Sequence, residues 1–165
     1  MHRYNLKDFT FNIPFRLENQ DRISNVQTVV DYLLHYFDTN IAICESGTQN
    51  NKKEFWKKTW DKKVNYIFHE EPKNLFHKTK LLNILCKAAK TKFIVAQDSD
   101  VIFYPSNYVN AANFLRDFQD RYFVYPFHKG TVDITKDKFK LLNTYKNIDK
   151  LSMENKINEV LAFSK

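Results

Sequence analysis

Residues 92–100 read Lys92-Phe-Ile-Val-Ala-Gln-Asp-Ser-Asp100, a short apolar run that ends in two carboxylates. The run has the length and composition of a buried β-strand. Asp98 and Asp100 follow it at once, and a carboxylate pair at the end of a buried strand needs a compensating positive charge. This stretch therefore predicts a strand of a central sheet with a charged site at its carboxyl end.

Strand and helix patterns alternate on both sides of this stretch. Short β-prone runs predict strands at 9–14, 40–45, 64–68, 92–97 and 122–125, with Pro14 and Pro126 ending the first and the last. Apolar residues at helical spacing predict helices at 23–37, 51–60 (short and exposed), 75–90, 107–119, 136–147 and 152–163. Such alternation predicts an α/β fold, with a mostly parallel sheet and helices on both faces, in one Rossmann-like domain.

Composition supports a folded, basic protein. Of the 165 residues, 43% are hydrophobic and 16% aromatic, which suffices for a core and excludes a disordered chain. The formal net charge is +7, with a cluster of lysines at Lys52, Lys53, Lys57, Lys58, Lys62 and Lys63. That charge suits an anionic partner, or simply a solvated surface rich in lysine. Because no nucleic-acid-binding motif accompanies it, no nucleic acid is expected as a partner.

The cysteines and the hydropathy of the chain bear on its cellular location. Cys44 and Cys86 lie in apolar runs and are expected to be buried thiols of a reducing compartment, not a disulfide. The polar amino terminus does not resemble a signal peptide, and no apolar run is long enough for a transmembrane segment. These features predict a cytoplasmic location.

Charged segments follow the predicted strands at the edge where parallel sheets bind ligands. They are Pro14-Phe15-Arg16, Glu45-Ser46-Gly47, His69-Glu70-Glu71 and Asp98-Ser99-Asp100. Magnesium and manganese bind through one or two carboxylates plus substrate phosphates, so Asp98 and Asp100 are the predicted metal ligands. The alternative is an aspartate that caps the following helix beside a solvated neighbour.

Three motifs in order resemble the β-1,4-galactosyltransferases and related enzymes of the GT-A fold. Ile13-Pro-Phe-Arg16 is similar to the family's I-P-F-R-x-R, with the second arginine displaced by four residues to Arg22. Phe76-His-Lys-Thr-Lys-Leu-Leu-Asn83 is similar to F-N-R-x-K-L-L-N, with Lys78 in place of an arginine. Asp98-Ser-Asp-Val-Ile-Phe-Tyr-Pro105 is similar to the D-x-D, apolar pair and proline that follow. The resemblance covers residues 9–105.

The resemblance implies a nucleotide pocket at the first two strands. Pro14, Phe15 and Arg16 would line the base and ribose pocket, with Arg22 in the place of the second arginine. Glu45 would lie where these enzymes keep an acidic residue on the uracil or ribose. The alternatives are structural: exposed arginines at a helix start, a core Phe15 and a surface-turn Glu45.

The resemblance places the diphosphate and the metal, Mn²⁺ or Mg²⁺, at the other motifs. Lys78 would meet the diphosphate as a point charge, or be a solvated helix residue instead. Asp100 would bind the metal directly, and Asp98 would face the ribose or donor sugar or bind the metal through water. His69 and His77 do not have an ordinary metal-binding spacing, and His128 is a further candidate ligand from later in the chain.

Together these roles imply a metal-dependent glycosyltransferase that takes a nucleotide-diphosphate sugar, expected to be a UDP-sugar, and passes the sugar to a saccharide or other acceptor. The family's base and third metal ligand lie in a later W-G-x-E-D-like segment, which does not occur after Pro126. Residues 9–105 of one GT-A-like domain are thus expected to bind the donor, with 106–165 a short or truncated acceptor side. The catalytic base is unassigned, and the later acids are Asp133, Asp137, Asp149, Glu154 and Glu159.

Other interpretations remain open at this point. The missing acceptor segment also suits a catalytically silent nucleotide-sugar-binding module, a fragment of a longer enzyme, or a domain completed by another chain. A nucleotidyltransferase would share the α/β plan but carry a glycine-rich phosphate loop near its first strand. Gly47 is the only glycine before residue 130, which disfavours that class.

Overall fold

The computed structural model describes residues 3–49, 53–73, 75–118, 122–126, 132–134 and 160–163. The elements, in chain order, are β1 (Tyr4–Arg16), α1 (Gln20–Tyr36), β2 (Phe37–Gly47), α2 (Lys53–Trp60), a 3₁₀ turn (Asp61–Lys63), β3 (Val64–Glu70), α3 (Lys78–Ala88), β4 (Phe93–Ala96), β5 (Val101–Phe103), α4 (Pro105–Phe118), β6 (Val132–Ile134) and β7 (Val160–Phe163). None of the helices in these ranges is long and apolar enough to cross a membrane.

The central sheet has four parallel strands in the order β3-β2-β1-β4. Ile13 lies opposite Ile43, Ile43 opposite Tyr66, and Asn12 opposite Ala96. The predicted parallel α/β sheet is confirmed, with the strands at 9–14, 40–45, 64–68 and 92–97 as neighbours. Because all four run in the same direction, their carboxyl ends meet at one edge.

Helices cover both faces of this sheet, as predicted. Alternate side chains of β1, from Phe9 to Phe15, are buried with α1, α2 and α4 in the larger core. On the opposite face Cys44 of β2 packs with Leu81 and Leu85 of α3. A fully buried large apolar side chain contributes about 1.5–3 kcal/mol relative to an exposed one, so this two-sided burial fixes the register of the strands.

Pro14 lies within β1, which corrects the expectation that it ends the first strand. The carbonyl of Asn12 accepts a hydrogen bond from the Gln97 N–H on the β4 side. Two residues on, Pro14 directs its backbone towards the same side, but β4 has already ended at Ala96. The N–H that proline lacks therefore has no strand to pair with there, and the cost of proline in a sheet is avoided.

The short helix predicted at 51–60 exists as α2, and most of it is exposed as expected, but two of its side chains are not. Trp56 and Trp60 are buried and stack with ring centroids 4.8 Å apart. Trp60 donates its indole N–H to Asp31 of α1 at 3.0 Å, and burial raises the pKa of that carboxyl. Apolar area on α2 thus holds the helix against α1.

The last third of the chain departs from the predicted elements. Tyr122–Tyr125 is not a strand, and Tyr122, Phe123 and Tyr125 are largely exposed, so the run lacks the half-buried surface that a strand needs. β5, β6 and β7 instead form a three-stranded sheet in the order β5-β7-β6. Residues 160–163 are therefore strand and not the end of a helix, because pairing decides short apolar runs that fit either periodicity. The predicted helix at 136–147 and the rest of that at 152–163 lie outside the described residues.

Two helix boundaries differ from the pattern for local reasons. α3 begins only at Lys78, and Leu75, predicted to be helical, is exposed before it. α1 begins at Gln20 because Asn19 caps it: the Asn19 side chain accepts from the Arg22 N–H at 3.0 Å. This cap matters to the site, since it sets where the first turn of α1 lies against the carboxyl edge of the sheet.

We expect Asn19→Ala to lower the free energy of unfolding by about 1 kcal/mol, because an N–H of the first turn loses its acceptor. Urea denaturation followed by circular dichroism measures the change. Gln20→Ala, at the neighbouring exposed position, is the control and should change stability by less than about 0.5 kcal/mol. Equal effects of the two substitutions would contradict the capping role.

Candidate functional site at the carboxyl edge

A cavity of about 240 Å³ opens at the carboxyl edge of the parallel sheet. It lies where β1, the start of α3 and the segment after β4 meet. Its lining residues are Pro14, Phe15, Arg16, Glu18, Arg22, Phe76, Lys78, Asp98, Ser99 and Asp100. Seven of the eight residues predicted for the site are in this set, and Glu45 is the exception.

The two predicted metal-binding aspartates lie on the turn between β4 and β5. α4 begins only at Pro105, so neither aspartate is its N-cap, which excludes the capping alternative. Asp100 accepts from Arg22 Nη1 with 2.8 Å between the nitrogen and Oδ2, across 78 positions of sequence. Asp98 contacts Lys78 Nζ through Oδ1. Each aspartate therefore has one basic partner inside the cavity.

Gln97 and Tyr108 hold that turn in place through hydrogen bonds. The sequence patterns did not single out either residue. The Gln97 amide nitrogen donates to the carbonyls of Asp98, at 3.1 Å, and Val101. Its amide oxygen accepts from the Tyr108 hydroxyl at 2.8 Å. Gln97 is 2% exposed, and burial raises the pKa of the Tyr108 phenol. A buried and satisfied polar network of this kind fixes the backbone that carries the carboxylates.

Glu18 is a cavity residue that the sequence patterns also missed. Its carboxylate lies 3.8 Å from Arg16 Nε and 3.7 Å from Arg22 Nε, measured to one oxygen each. Glu18 belongs to the five-residue segment, 17–21, that separates the two arginines. The signal available in the sequence was an acid between two bases. Glu18 places its negative charge between the two guanidinium groups.

Phe15 combines two of the interpretations that the sequence left open. It is 2% exposed and packs edge-on against Trp56, with ring centroids 5.7 Å apart, yet it also lines the cavity. Phe76 lines the cavity from the other side as an exposed aromatic residue. The cavity is thus lined by apolar residues as well as by charged ones.

Glu45 does not enter this cavity, which corrects the expectation that it shares one with Arg16. It lies opposite Phe15 in the register and is 2% exposed. One carboxylate oxygen accepts from Trp56 Nε1 at 2.8 Å and from the Tyr66 hydroxyl at 3.0 Å. Burial and the Glu45 charge together raise the pKa of the Tyr66 phenol, and likewise the pKa of the Cys44 thiol to about 11. In this structure Glu45 supports the packing of α2 and β3 beneath the edge.

Neither His69 nor His77 joins the two aspartates. His77 lies 4.0 Å from Glu71, and neither histidine lines the cavity. Among the described residues, no group of three or more His, Cys, Asp or Glu side chains is placed to hold a metal ion. His128 lies outside the described residues.

Comparison with known proteins finds similarity in structure. No protein-family model matches the sequence, and no curated protein matches it. The fold is similar to the crystal structure of S. aureus TarS, a glycosyltransferase, with a TM-score of 0.45 and 16% sequence identity. The alignment covers 68% of this chain and 20% of TarS, so the chain spans about a fifth of that protein. The interpretation of the site rests on its own geometry.

We expect Glu45→Ala to lower the free energy of unfolding by about 3 kcal/mol, because the buried donors on Trp56 and Tyr66 lose their shared acceptor. Glu70→Ala, on the exposed end of β3, is the matched control and should cost less than about 0.5 kcal/mol. Chemical denaturation measures both.

A second variant separates the structural role from a ligand contact. Glu45→Gln keeps an acceptor oxygen at nearly the same volume, and because Glu45 does not line the cavity we expect the substitution to leave the outcome of a UDP titration unchanged. Loss of UDP affinity in Glu45→Gln without loss of stability would show that Glu45 contacts the ligand.

Proposed function

We propose that this chain binds a nucleotide-diphosphate sugar, with a UDP-sugar as the donor, together with Mn²⁺ or Mg²⁺, and transfers the sugar to a saccharide acceptor. The observation that carries the proposal is convergence. Arg16, Arg22 and Lys78 meet Asp98 and Asp100 in one cavity, although they come from three separate segments of the chain. Cations, a carboxylate pair and apolar walls at the carboxyl edge of a parallel sheet are what a nucleotide diphosphate and its metal require.

The apolar residues of the cavity suit the nucleoside. Pro14 and Phe15 offer a rigid surface, and Phe15 is held in place by Trp56. Arg16 lies beside them with its side chain only 21% exposed, where it can donate to ribose or base oxygens. In this proposal the three residues orient the nucleoside, so that its diphosphate points towards the charged residues.

The charged residues of the cavity suit the diphosphate and the metal. Lys78 and Arg22 would neutralise phosphate oxygens, Lys78 as a point charge and Arg22 with the fork of its guanidinium group. Asp98 and Asp100 supply the hard oxygen ligands that magnesium and manganese prefer. When bound, the metal would offset negative charge that develops on the departing diphosphate. Lys78 and Arg22 contribute to the same effect from fixed positions, which lowers the barrier because little reorganisation is needed.

A second candidate function is donor binding without efficient transfer. Within the part of the chain that the structure describes, each carboxylate lining the cavity, namely Glu18, Asp98 and Asp100, lies beside a cation. A base must lie within hydrogen-bond reach of the acceptor hydroxyl, and each of these three carboxylates is already engaged with arginine or lysine. This observation favours binding or slow hydrolysis of the donor over transfer by the isolated chain.

We expect Asp100→Ala to weaken metal-dependent UDP binding at least about tenfold, or about 1.4 kcal/mol, because one hard oxygen ligand is lost. Calorimetric titration of UDP with manganese present measures this affinity. Asp117→Ala removes the same charge from an exposed position of α4 and should leave the affinity unchanged. An unchanged affinity in Asp100→Ala would remove the aspartate from the metal site.

We further expect hydrolysis of a UDP-sugar by the isolated chain, where detected, to exceed transfer to any added saccharide. Water needs no positioning, whereas transfer needs an oriented acceptor and a base, whose loss costs orders of magnitude in rate. Mass spectrometry of a panel of UDP-sugars, each with manganese and a mixture of saccharides, separates free sugar from transfer product. Efficient transfer to one saccharide would contradict this expectation and assign full transferase activity.

A further inference from the structure

Glu18 differs from the other two carboxylates that line the cavity in the state of its oxygens. Asp100 accepts a hydrogen bond from Arg22 Nη1 at 2.8 Å, and Asp98 contacts a lysine nitrogen. The Glu18 oxygens lie 3.8 Å from Arg16 Nε and 3.7 Å from Arg22 Nε, one oxygen to each, which is longer than a hydrogen bond. With respect to the described residues, Glu18 therefore keeps two acceptor oxygens that a ligand can use.

We infer that Glu18 accepts hydrogen bonds from the two ribose hydroxyls of the nucleotide and makes the site selective for ribonucleotides. The inference rests on the proposed function and adds to it a specificity-determining residue that lies outside the three sequence motifs. The 2′- and 3′-hydroxyls are on adjacent carbons, so each oxygen of one carboxylate can accept from one of them. No proton is transferred, and the contact consists of two hydrogen bonds to a charged acceptor.

The two arginines beside Glu18 indicate which part of the nucleotide it meets. In the proposed function Arg16 orients the nucleoside and Arg22 neutralises the diphosphate. Glu18 lies beside both guanidinium groups, and so its carboxylate is between the two residues that contact these parts of the ligand. The ribose joins the base to the diphosphate in any nucleotide, and it therefore has the same intermediate position.

The exposure and the charge of Glu18 also suit a ligand that carries hydroxyls. Its side chain is 45% exposed and lines the cavity, so a bound molecule can reach the carboxylate. The two guanidinium groups offset its negative charge, which allows it to remain near a diphosphate. A neutral hydroxyl donates to a carboxylate, whereas a phosphate group at the same place would bring like charges together. Glu18 thus favours a free ribose diol.

The alternative is that Glu18 only orients the two arginines. Its removal would then weaken the binding of every uridine diphosphate by the same factor, with or without the ribose hydroxyls. A direct hydrogen bond has a different consequence, since its loss weakens only those nucleotides that carry the hydroxyl. Comparison of UDP with its deoxy analogues therefore separates the two roles.

The test is calorimetric titration of the whole chain with UDP, 2′-deoxy-UDP and 3′-deoxy-UDP, each with saturating Mn²⁺. We expect the parent chain to bind each deoxy analogue at least about tenfold more weakly than UDP, because a hydrogen bond to a charged acceptor is lost. In Glu18→Ala we expect this ratio to fall to about threefold or less, because UDP loses the same contact. Glu18→Gln keeps the shape and one acceptor oxygen, and its ratio should lie between those two values.

Asp21→Asn is the matched control. It removes a carboxylate charge from the same segment, 17–21, at an exposed position that does not line the cavity. The ratio of UDP to deoxy-UDP affinity should stay at its parent value in this variant. Thermal unfolding of each variant checks that the fold is intact, so that a changed ratio reports on the site.

Failure of this inference can be told apart from failure of the proposed function. If the parent chain binds UDP but binds both deoxy analogues equally well, the role of Glu18 is overturned and the donor site stands. Equal losses for all three nucleotides in Glu18→Ala, with the ratio unchanged, would overturn it as well and assign Glu18 to orienting the arginines. Absence of UDP binding by the parent chain would refute the proposed function and the inference with it.

Discussion

The parallel pairing of β1 with β2 on one side and β4 on the other determines where each charged group of the cavity lies. Arg16 ends β1, and the Asn12 carbonyl accepts from Gln97 immediately before the aspartates. Two segments more than 80 positions apart thereby meet at one edge. β1 is buried on both faces of the sheet. Its register is therefore fixed, because a slip of one residue would turn Phe11 and Ile13 out of the larger core.

Buried polar groups beneath the edge carry the second layer of the site. Gln97 and Tyr108 bind the backbone of the turn that presents the aspartates, and Trp56 and Tyr66 hold Glu45 under α2. Both networks are buried, so their donors and acceptors would be costly to leave unpaired. The result is a layer of satisfied hydrogen bonds beneath the charged side chains that line the cavity.

The segment between Arg16 and Arg22 contributes both a helix cap and a charge to the site. Its Asn19, the last residue before the helix, caps α1, and its acid, Glu18, lies between the two arginines. The cap sets the first turn of α1, from which Arg22 reaches the cavity and bonds Asp100. The segment is thus part of the charge arrangement of the cavity.

Sequence by itself determined the class of the fold and most of the cavity. Strand and helix periodicities predicted the parallel sheet, because those signals are local and repeat with a fixed spacing. Segments at the strand ends marked five of the lining residues as candidates, namely Pro14, Phe15, Arg16, Asp98 and Asp100, and the resemblance to a known family implied Arg22 and Lys78. Tertiary structure alone decided that Glu45 is buried and that Glu18 lies between two arginines at the cavity. It also decided that Gln97 and Tyr108 hydrogen-bond beneath the turn with the aspartates, and that β5, β6 and β7 form a second sheet. Those features depend on which distant residue comes within hydrogen-bond reach. A short apolar run or a single polar residue does not indicate which residue that will be. The two aspartates and the basic residues Arg22 and Lys78 could be predicted from the sequence, whereas the fold alone decided which cation pairs with which aspartate.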